Sequence, residues 1–353
     1  MTDPLTKLTY QAVQEGKKFF SLAHKGLSTQ IGQLVTSERE DRTFPVSLEV
    51  LALIQTHLDR LREIDWKEAQ QGIYPTELLF DDPWFDFAQY YPILWFDLPQ
   101  IWDRVSRKQY QKFDADIETS GYPSYYVQNF HHQTNGYLSD LSANLYDLQV
   151  ELLFNGSADT MRRRVLAPLK RGLAEVTGDL PQHPIRVLDV ATGTGRTLRF
   201  LRKTLPQASL HGTDLSPAYL RKANQLLSDL PETLPQLCQA NAEDLPYRDN
   251  HFHGITCVFL FHELPPEARQ NVIEQCYRVL QPGGTFIICD SLQTDDVPEF
   301  NSLLHNFHTT FHEPYHRHYI GDDMTQRLHQ AGFGEVETQV HLMSKYWIAR
   351  KSV

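Results

Sequence analysis

The sequence predicts an α/β protein: a doubly wound, mostly parallel seven-stranded sheet with an antiparallel C-terminal hairpin, preceded by a mainly helical N-terminal domain. Three observations carry this. Apolar residues recur at three- and four-residue steps as far as about Val176. After Pro184, short β-branched or apolar runs alternate with helical segments. The chain then closes on two strand-like runs separated by a three-residue turn.

In order along the chain, Leu51, Ile54, Leu58 and Leu61 lay down one apolar helical stripe, and Leu138, Leu141, Leu145, Leu148 and Leu152 a second. Leu166, Leu169, Leu173 and Val176 make a third. Between the first two, Asp82-Pro83-Trp84 through Tyr91-Pro92 and Gly121-Tyr122-Pro123 mix large rings with helix breakers, and read as loops or short helices. Arg162, Arg163 and Arg164 read as a solvated helix face, with the alternative that one of them reaches the carboxylate of a ligand. The turn-rich stretch from Thr177 to Pro184 marks the boundary between a helical domain over 1–178 and a sheet domain over 184–353.

Strands are expected at Ile185 to Ala191, Ser209 to Asp214, Gln236 to Asn241, Gly254 to Phe261 and Thr285 to Asp290, then Glu335 to His341 and Lys345 to Arg350 as the hairpin. Ser216-Pro217 caps one intervening helix, Pro265-Pro266-Glu267 opens another, and Pro282-Gly283-Gly284 ends it.

Composition narrows function. With 33 Lys plus Arg against 44 Asp plus Glu the net charge is -11, so the chain repels phosphate backbones, and a nucleic-acid partner is not expected. The longest uninterrupted apolar stretches, such as Val258 to Phe261 within Ile255 to Leu264, are far short of the roughly 20 residues of a membrane span. The start, Met1-Thr2-Asp3-Pro4, has no apolar export signal, so a cytoplasmic location is expected. Cys238, Cys257, Cys276 and Cys289 lack the close pairing of zinc or redox motifs and read as reduced core residues.

The chemistry centres on Val187 to Gly195, a strand that runs straight into a glycine-bearing turn and a helix. Such a turn lets backbone N–H groups approach an anionic or zwitterionic ligand. Nineteen residues beyond Gly195, Asp214 ends the next strand, where a carboxylate can accept both hydrogen bonds of a ribose diol. A nucleoside-bearing cofactor follows. A dinucleotide fingerprint needs Gly or Ala at the sixth position from Gly193, but Leu198 stands there, which disfavours nicotinamide and flavin cofactors.

Four blocks, VLDVATGTG, HGTDLS, NAEDLPY and FHELPPEARQNVIEQCYRVLQPGG, occur in that order. Through them the chain resembles the class I S-adenosylmethionine-dependent methyltransferases, nearest to the ubiquinone and menaquinone C-methyltransferase-like (methyltransferase type 11) branch. The resemblance spans Pro184 to Lys351 and leaves the first 180 residues outside it. It implies S-adenosylmethionine as cofactor and S-adenosylhomocysteine as product. Asp189 would orient the cofactor loop, and Ala191, Thr192, Gly193, Thr194 and Gly195 would lie under the methionine moiety. Asp214 would hold the ribose, Leu215 would back the adenine, and Asn241, Ala242 and Glu243 would form the adenine turn. Ala191 stands where a glycine is common, Asn241 where an aspartate is usual, and His253 where an aspartate often follows the aromatic residue of the fourth strand.

Ligands of open α/β sheets bind beyond the carboxyl ends of the strands, which places His262, Glu263 and Asp290 near the transferred methyl group. His262 is the candidate base, since an imidazole titrates close to neutral pH. His305, His308, His312 and His316 would share one helical face if a helix ran past Glu313, although Pro314 opposes this. No metal is expected there; Phe307, Phe311, Tyr315 and Tyr319 interleave the imidazoles into an acceptor-pocket wall. The ring-rich segment Tyr126 to His132, with Phe130, His131 and His132, would be a lid, and His312, Tyr315 and Tyr319 the facing wall. The expected reaction is methyl transfer to a small, aromatic or quinol-like acceptor by in-line displacement. The alternatives are a catalytically silent cofactor-binding scaffold and a nicotinamide oxidoreductase.

Overall fold

The computed structural model describes residues 4–35, 47–177 and 184–353; the expected boundary turn over 178–183 lies outside the described residues. The helical half runs through α1 (Pro4–Val35), α2 (Leu48–Gln70), α3 (Trp84–Ser106), α4 (Asp140–Leu153), α5 (Ala158–Arg163) and α6 (Leu166–Thr177). Ser47 and Ser139 cap α2 and α4 by accepting from the backbone N–H three residues on.

The stretch expected to be broken by its prolines is instead the 23-residue helix α3, with Pro92 and Pro99 inside it. Its rings explain why. Phe87, Tyr90, Tyr91 and Leu94 pack on Leu145, Leu148 and Leu152 of α4, and that burial outweighs the two lost ladder bonds. Gly121-Tyr122-Pro123 does lie in an irregular connection, relieved by a single 3-10 turn at Phe130–His132.

The second half reads β1 (Arg186–Val190), α7 (Arg196–Thr204), β2 (Ser209–Asp214), α8 (Pro217–Leu227), β3 (Gln236–Gln239), β4 (Phe252–Val258), α9 (Pro266–Val279), β5 (Leu280–Ser291), α10 (Asn301–Thr310), α11 (His316–Tyr319), α12 (Met324–Ala331), β6 (Phe333–His341) and β7 (Ser344–Lys351). The seven strands lie in the order β3-β2-β1-β4-β5-β7-β6. β1 to β5 are parallel, and β7 enters antiparallel between β5 and β6. The hairpin turn has two residues rather than three: His341 pairs with Ser344, and Leu342 takes a positive φ of 53°.

Each strand alternates between two cores. Leu188, Val190, Ile255, Phe286 and Ile288 face α9 and α12, whereas Val187, Leu210 and Ile287 face α6 and α7. The Leu166 to Leu173 stripe thus covers the sheet itself, and a Cβ added at Gly254 would meet Leu169 Cδ1 at 2.6 Å. One apolar layer therefore spans both halves.

The arginine run is not solvated. Arg162, Arg163 and Arg164 are all buried. Arg163 and Arg164 both bond to the buried Asp65 of α2, at 2.6 and 2.7 Å, and Arg162 bonds to Asp159 at 2.7 Å. Asp159 also pairs with Arg196 of α7, tying the helical half to the cofactor-loop helix. The short α5 packs against both α2 and α7, so its polar side chains had to find charged partners inside rather than solvent.

Candidate active site

The loop after β1 is shaped by backbone conformation. Ala191, Gly193 and Gly195 have φ of 54°, 57° and 84°, so the alanine sits where glycine is the natural residue. A Cβ at Gly193 would meet no atom within 4 Å, because that face is open to a cavity that the residue lines. Asp189 lies beneath the loop rather than in it. Its oxygens accept from Thr192 Oγ1 at 2.7 Å and from Thr256 Oγ1 at 2.6 Å. Burial nevertheless pushes its pKa up to about 7.

Asp214 ends β2 facing the same loop. Its Oδ2 accepts from Gly193 N and its Oδ1 from Ser216 N, both at 2.8 Å, which leaves further lone pairs on each oxygen. Burial raises its pKa to about 6, against the pull of these backbone bonds.

A cavity of about 100 Å³ opens here, lined by Ala191, Gly193, Asp214, Leu215, Asn241 and Ala242. Six of the residues expected at a cofactor thus share one wall. Thr192, Thr194, Gly195 and Glu243 do not face it. Thr194 bonds to Asp147 of α4, while Glu243 accepts from Tyr125 and Asn271. The opposite wall comes from the helical half as Tyr125, Tyr126, Tyr137 and Tyr146, with Tyr219 from α8. Tyr219, and Phe259 with its φ of 58°, had no signal in the sequence. Both depend on long-range packing.

A second cavity of about 530 Å³ adjoins the first, and Tyr146, Phe259 and Glu263 line both. Its walls are largely apolar: Leu94, Leu98 and Trp102 from α3, and Leu303, Leu304 and Phe307 from α10. His131, His132 and His262 supply polar edges. Tyr126, expected in the lid of this space, faces the smaller cavity instead. Phe130 is buried against Tyr137 at 5.6 Å between ring centres.

The expected wall from His312 to Tyr319 is displaced by one helix. α10 ends at Thr310, and His312 has a φ of 49°, so the histidines do not share a helical face. His312 stacks on Tyr110 at 3.9 Å in a separate groove. Tyr315 and Tyr319 pack behind, Tyr319 donating its hydroxyl to Ser291 O at 2.8 Å. His316 is buried, with its pKa pushed down to about 2 by burial and by neighbouring His262. Leu303, Leu304, Phe307 and Thr310 of α10, with Phe311 just past its end, line the larger cavity instead.

At the junction, Asp290 at the end of β5 accepts backbone N–H groups from Leu260, Phe261 and Ser291. It is therefore an acceptor toward His262, whose Nδ1 lies 2.6 Å away and carries the proton. Nε2 of His262 faces Glu263 Oε1 at 3.9 Å. Burial opposes protonation of the ring, but Asp290 outweighs it and raises the pKa. Tyr137 donates to Glu263. Glu313, which sequence reading used only to mark a helix end, lies fully buried beside His131, with a pKa pushed well up by burial and by Glu263 and Asp290.

A methyltransferase-domain family model matches residues 187–284. A demethylmenaquinone methyltransferase of Thermotoga maritima is 29% identical over 178 residues, 50% of this chain and 70% of that protein. An uncharacterized methyltransferase of Synechocystis sp. is 30% identical over 156 residues, 44% of this chain and 70% of that protein. The ubiquinone/menaquinone biosynthesis C-methyltransferase UbiE of Desulfotalea psychrophila is 31% identical over 43% of this chain, which spans 56% of its length. Among solved structures, human N-acetylserotonin methyltransferase superposes with a TM-score of 0.50 at 15% identity, over 76% of this chain and 70% of its own. That fold likeness reaches beyond the sheet-bearing half.

Proposed function

The chain belongs to the S-adenosylmethionine-dependent methyltransferases, and from that premise we propose that it methylates a small, largely apolar, aromatic or quinol-like acceptor seated in the larger cavity. One observation carries the reading: the two cavities meet at Tyr146, Phe259 and Glu263, so a group in one faces a group in the other. Bound in the smaller cavity, S-adenosylmethionine would supply an activated sulfonium methyl group and leave as S-adenosylhomocysteine.

The residues present fit that cofactor. Asp214 keeps free lone pairs for a ribose diol, Gly193 leaves open space, and Leu215, Asn241 and Ala242 form a half-polar slot suited to adenine. Asp189 holds the loop through Thr192 and Thr256. The tyrosines of the helical half close the site from solvent, which matters because in-line displacement needs alignment and exclusion of water. His262, fixed by Asp290, presents Nε2 to take a proton from the acceptor. Names of relatives in quinone biosynthesis support a ring-bearing acceptor. The unpaired cysteines, three of them buried, suit a cytoplasmic setting.

The test is label transfer from methyl-tritiated S-adenosylmethionine to a panel of reduced naphthoquinols, benzoquinols and phenols. At least one ring acceptor should become labelled, and His262→Ala should lower turnover by about 100-fold or more while leaving S-adenosylhomocysteine affinity unchanged. Binding of the cofactor without label in any acceptor would favour the silent scaffold.

A further inference from the structure

We propose that His131, His262, Glu263 and Glu313 form a binding site for one divalent transition-metal ion, zinc in the first instance, at the junction of the two cavities. The four side chains come from three separate segments: the 3-10 turn at Phe130–His132, the turn after β4, and the loop after α10. One donor atom from each lies within 4.8 Å of all the others. His131 Nε2 is 3.0 Å from Glu313 Oε1 and 3.4 Å from Glu263 Oε1, and His262 Nε2 is 3.9 Å from Glu263 Oε1. Donors about 2.0 to 2.2 Å from a common tetrahedral centre lie about 3.3 to 3.6 Å apart; these three separations fall around that value, and the remaining pairs lie within 4.8 Å, so the side chains need close in only slightly on an ion. Two imidazoles with two carboxylates are a donor set that zinc and its neighbours accept.

Three further observations point to an ion. The Glu313 side chain is 0% exposed, and neither of its oxygens accepts a hydrogen bond. A carboxylate buried in this way is stable only with a cation or a proton facing it, and the nearest basic group, His131 Nε2 at 3.0 Å, belongs to the same cluster. Asp290 orients His262 through Nδ1 and turns Nε2 toward the cluster, the carboxylate–histidine arrangement that supports metal ligands. His131 and His132 are held at φ of 52° and 60°, a conformation that non-glycine residues adopt at a cost and that recurs at functional sites. Among the described residues, Asp82, Glu151 and Asp159 form a second cluster with suitable spacing, but Lys17, Arg162 and Arg196 already neutralise it.

With an ion bound, His262 would serve as a ligand rather than as a base, and the metal would supply Lewis-acid polarisation to an acceptor oxygen beside it. This role, unlike the site, rests on the methyl-transfer reading.

The experiment uses the full chain and the metal alone, so its outcome is independent of cofactor or acceptor. Chelator-treated protein is titrated with zinc chloride by calorimetry, and its thermal midpoint is followed with and without zinc. One zinc per chain should bind and raise the midpoint. His131→Ala and Glu313→Gln should each weaken that binding at least tenfold and abolish the shift. His131 is partly exposed, so its variant keeps the test decisive if the Glu313 change impairs folding. No zinc binding by the parent would overturn the site, with Glu313 then holding a proton. Affinity within twofold of the parent in both variants would also overturn it, placing the metal on other histidines.

Discussion

At Asp214 a single carboxylate is asked to stay buried, to anchor Gly193 and Ser216, and to receive a ligand diol. Because burial raises its pKa to about 6, its charge is present at neutral pH and is lost as pH falls through that value. A carboxylate accepts stronger hydrogen bonds than the protonated acid. S-adenosylhomocysteine affinity should therefore be constant above pH 7 and fall progressively between about 6.5 and 5, measured by titration at each pH. Affinity that stays flat across that range would remove Asp214 from the site. The same raised pKa works against stability: the folded state binds the proton more tightly than the unfolded one. The contribution of Asp214 is most favourable below the unfolded value near 4 and is lost as pH rises through about 6.

At the scale of elements, the parallel strands and their connecting helices were legible because hydrophobic periodicity and turn chemistry agree there, as at Ser216-Pro217 and Pro265-Pro266. The glycine turn and Asp214 were legible for a similar reason, since backbone conformation and strand-end position are local properties. The wall of the larger cavity was not. Its placement depends on where α10 stops and on α3 continuing through two prolines, and both are decided by packing against distant segments. The histidine series likewise dispersed once His312 left the helix, while Glu313, without a motif, reached the site. If α10 is the wall, Phe307→Ala should raise the acceptor KM by roughly tenfold and leave S-adenosylhomocysteine affinity within twofold, as expected for loss of one apolar contact surface. Unchanged acceptor kinetics would move the acceptor elsewhere.

Across the whole molecule, the helical half is built into the sheet half. Leu166 and Leu169 share a core with Val187 and Ile287, Arg196 pairs with Asp159, and Tyr346 donates to Met161 O. Asp65 is the charge on which two buried arginines depend, and they hold its pKa down to about 2 against the effect of burial. Asp65→Ala should cost about 3 to 5 kcal/mol, because it leaves the buried Arg163 without its carboxylate and Arg164 with Glu68 alone. Denaturant unfolding should show one transition by both far-ultraviolet dichroism and tryptophan fluorescence, its midpoint lowered in the variant. Two separated transitions in the parent would mean that the halves are energetically independent.

The most direct test of the account is calorimetric titration of the full chain and of Asp214→Ala with S-adenosylhomocysteine. The predicted result is one site per chain in the parent and at least tenfold weaker binding in the variant, since each hydrogen bond to a charged acceptor contributes about 1.5 to 3 kcal/mol. Absence of binding by folded parent protein, or equal affinity in the variant, would contradict it.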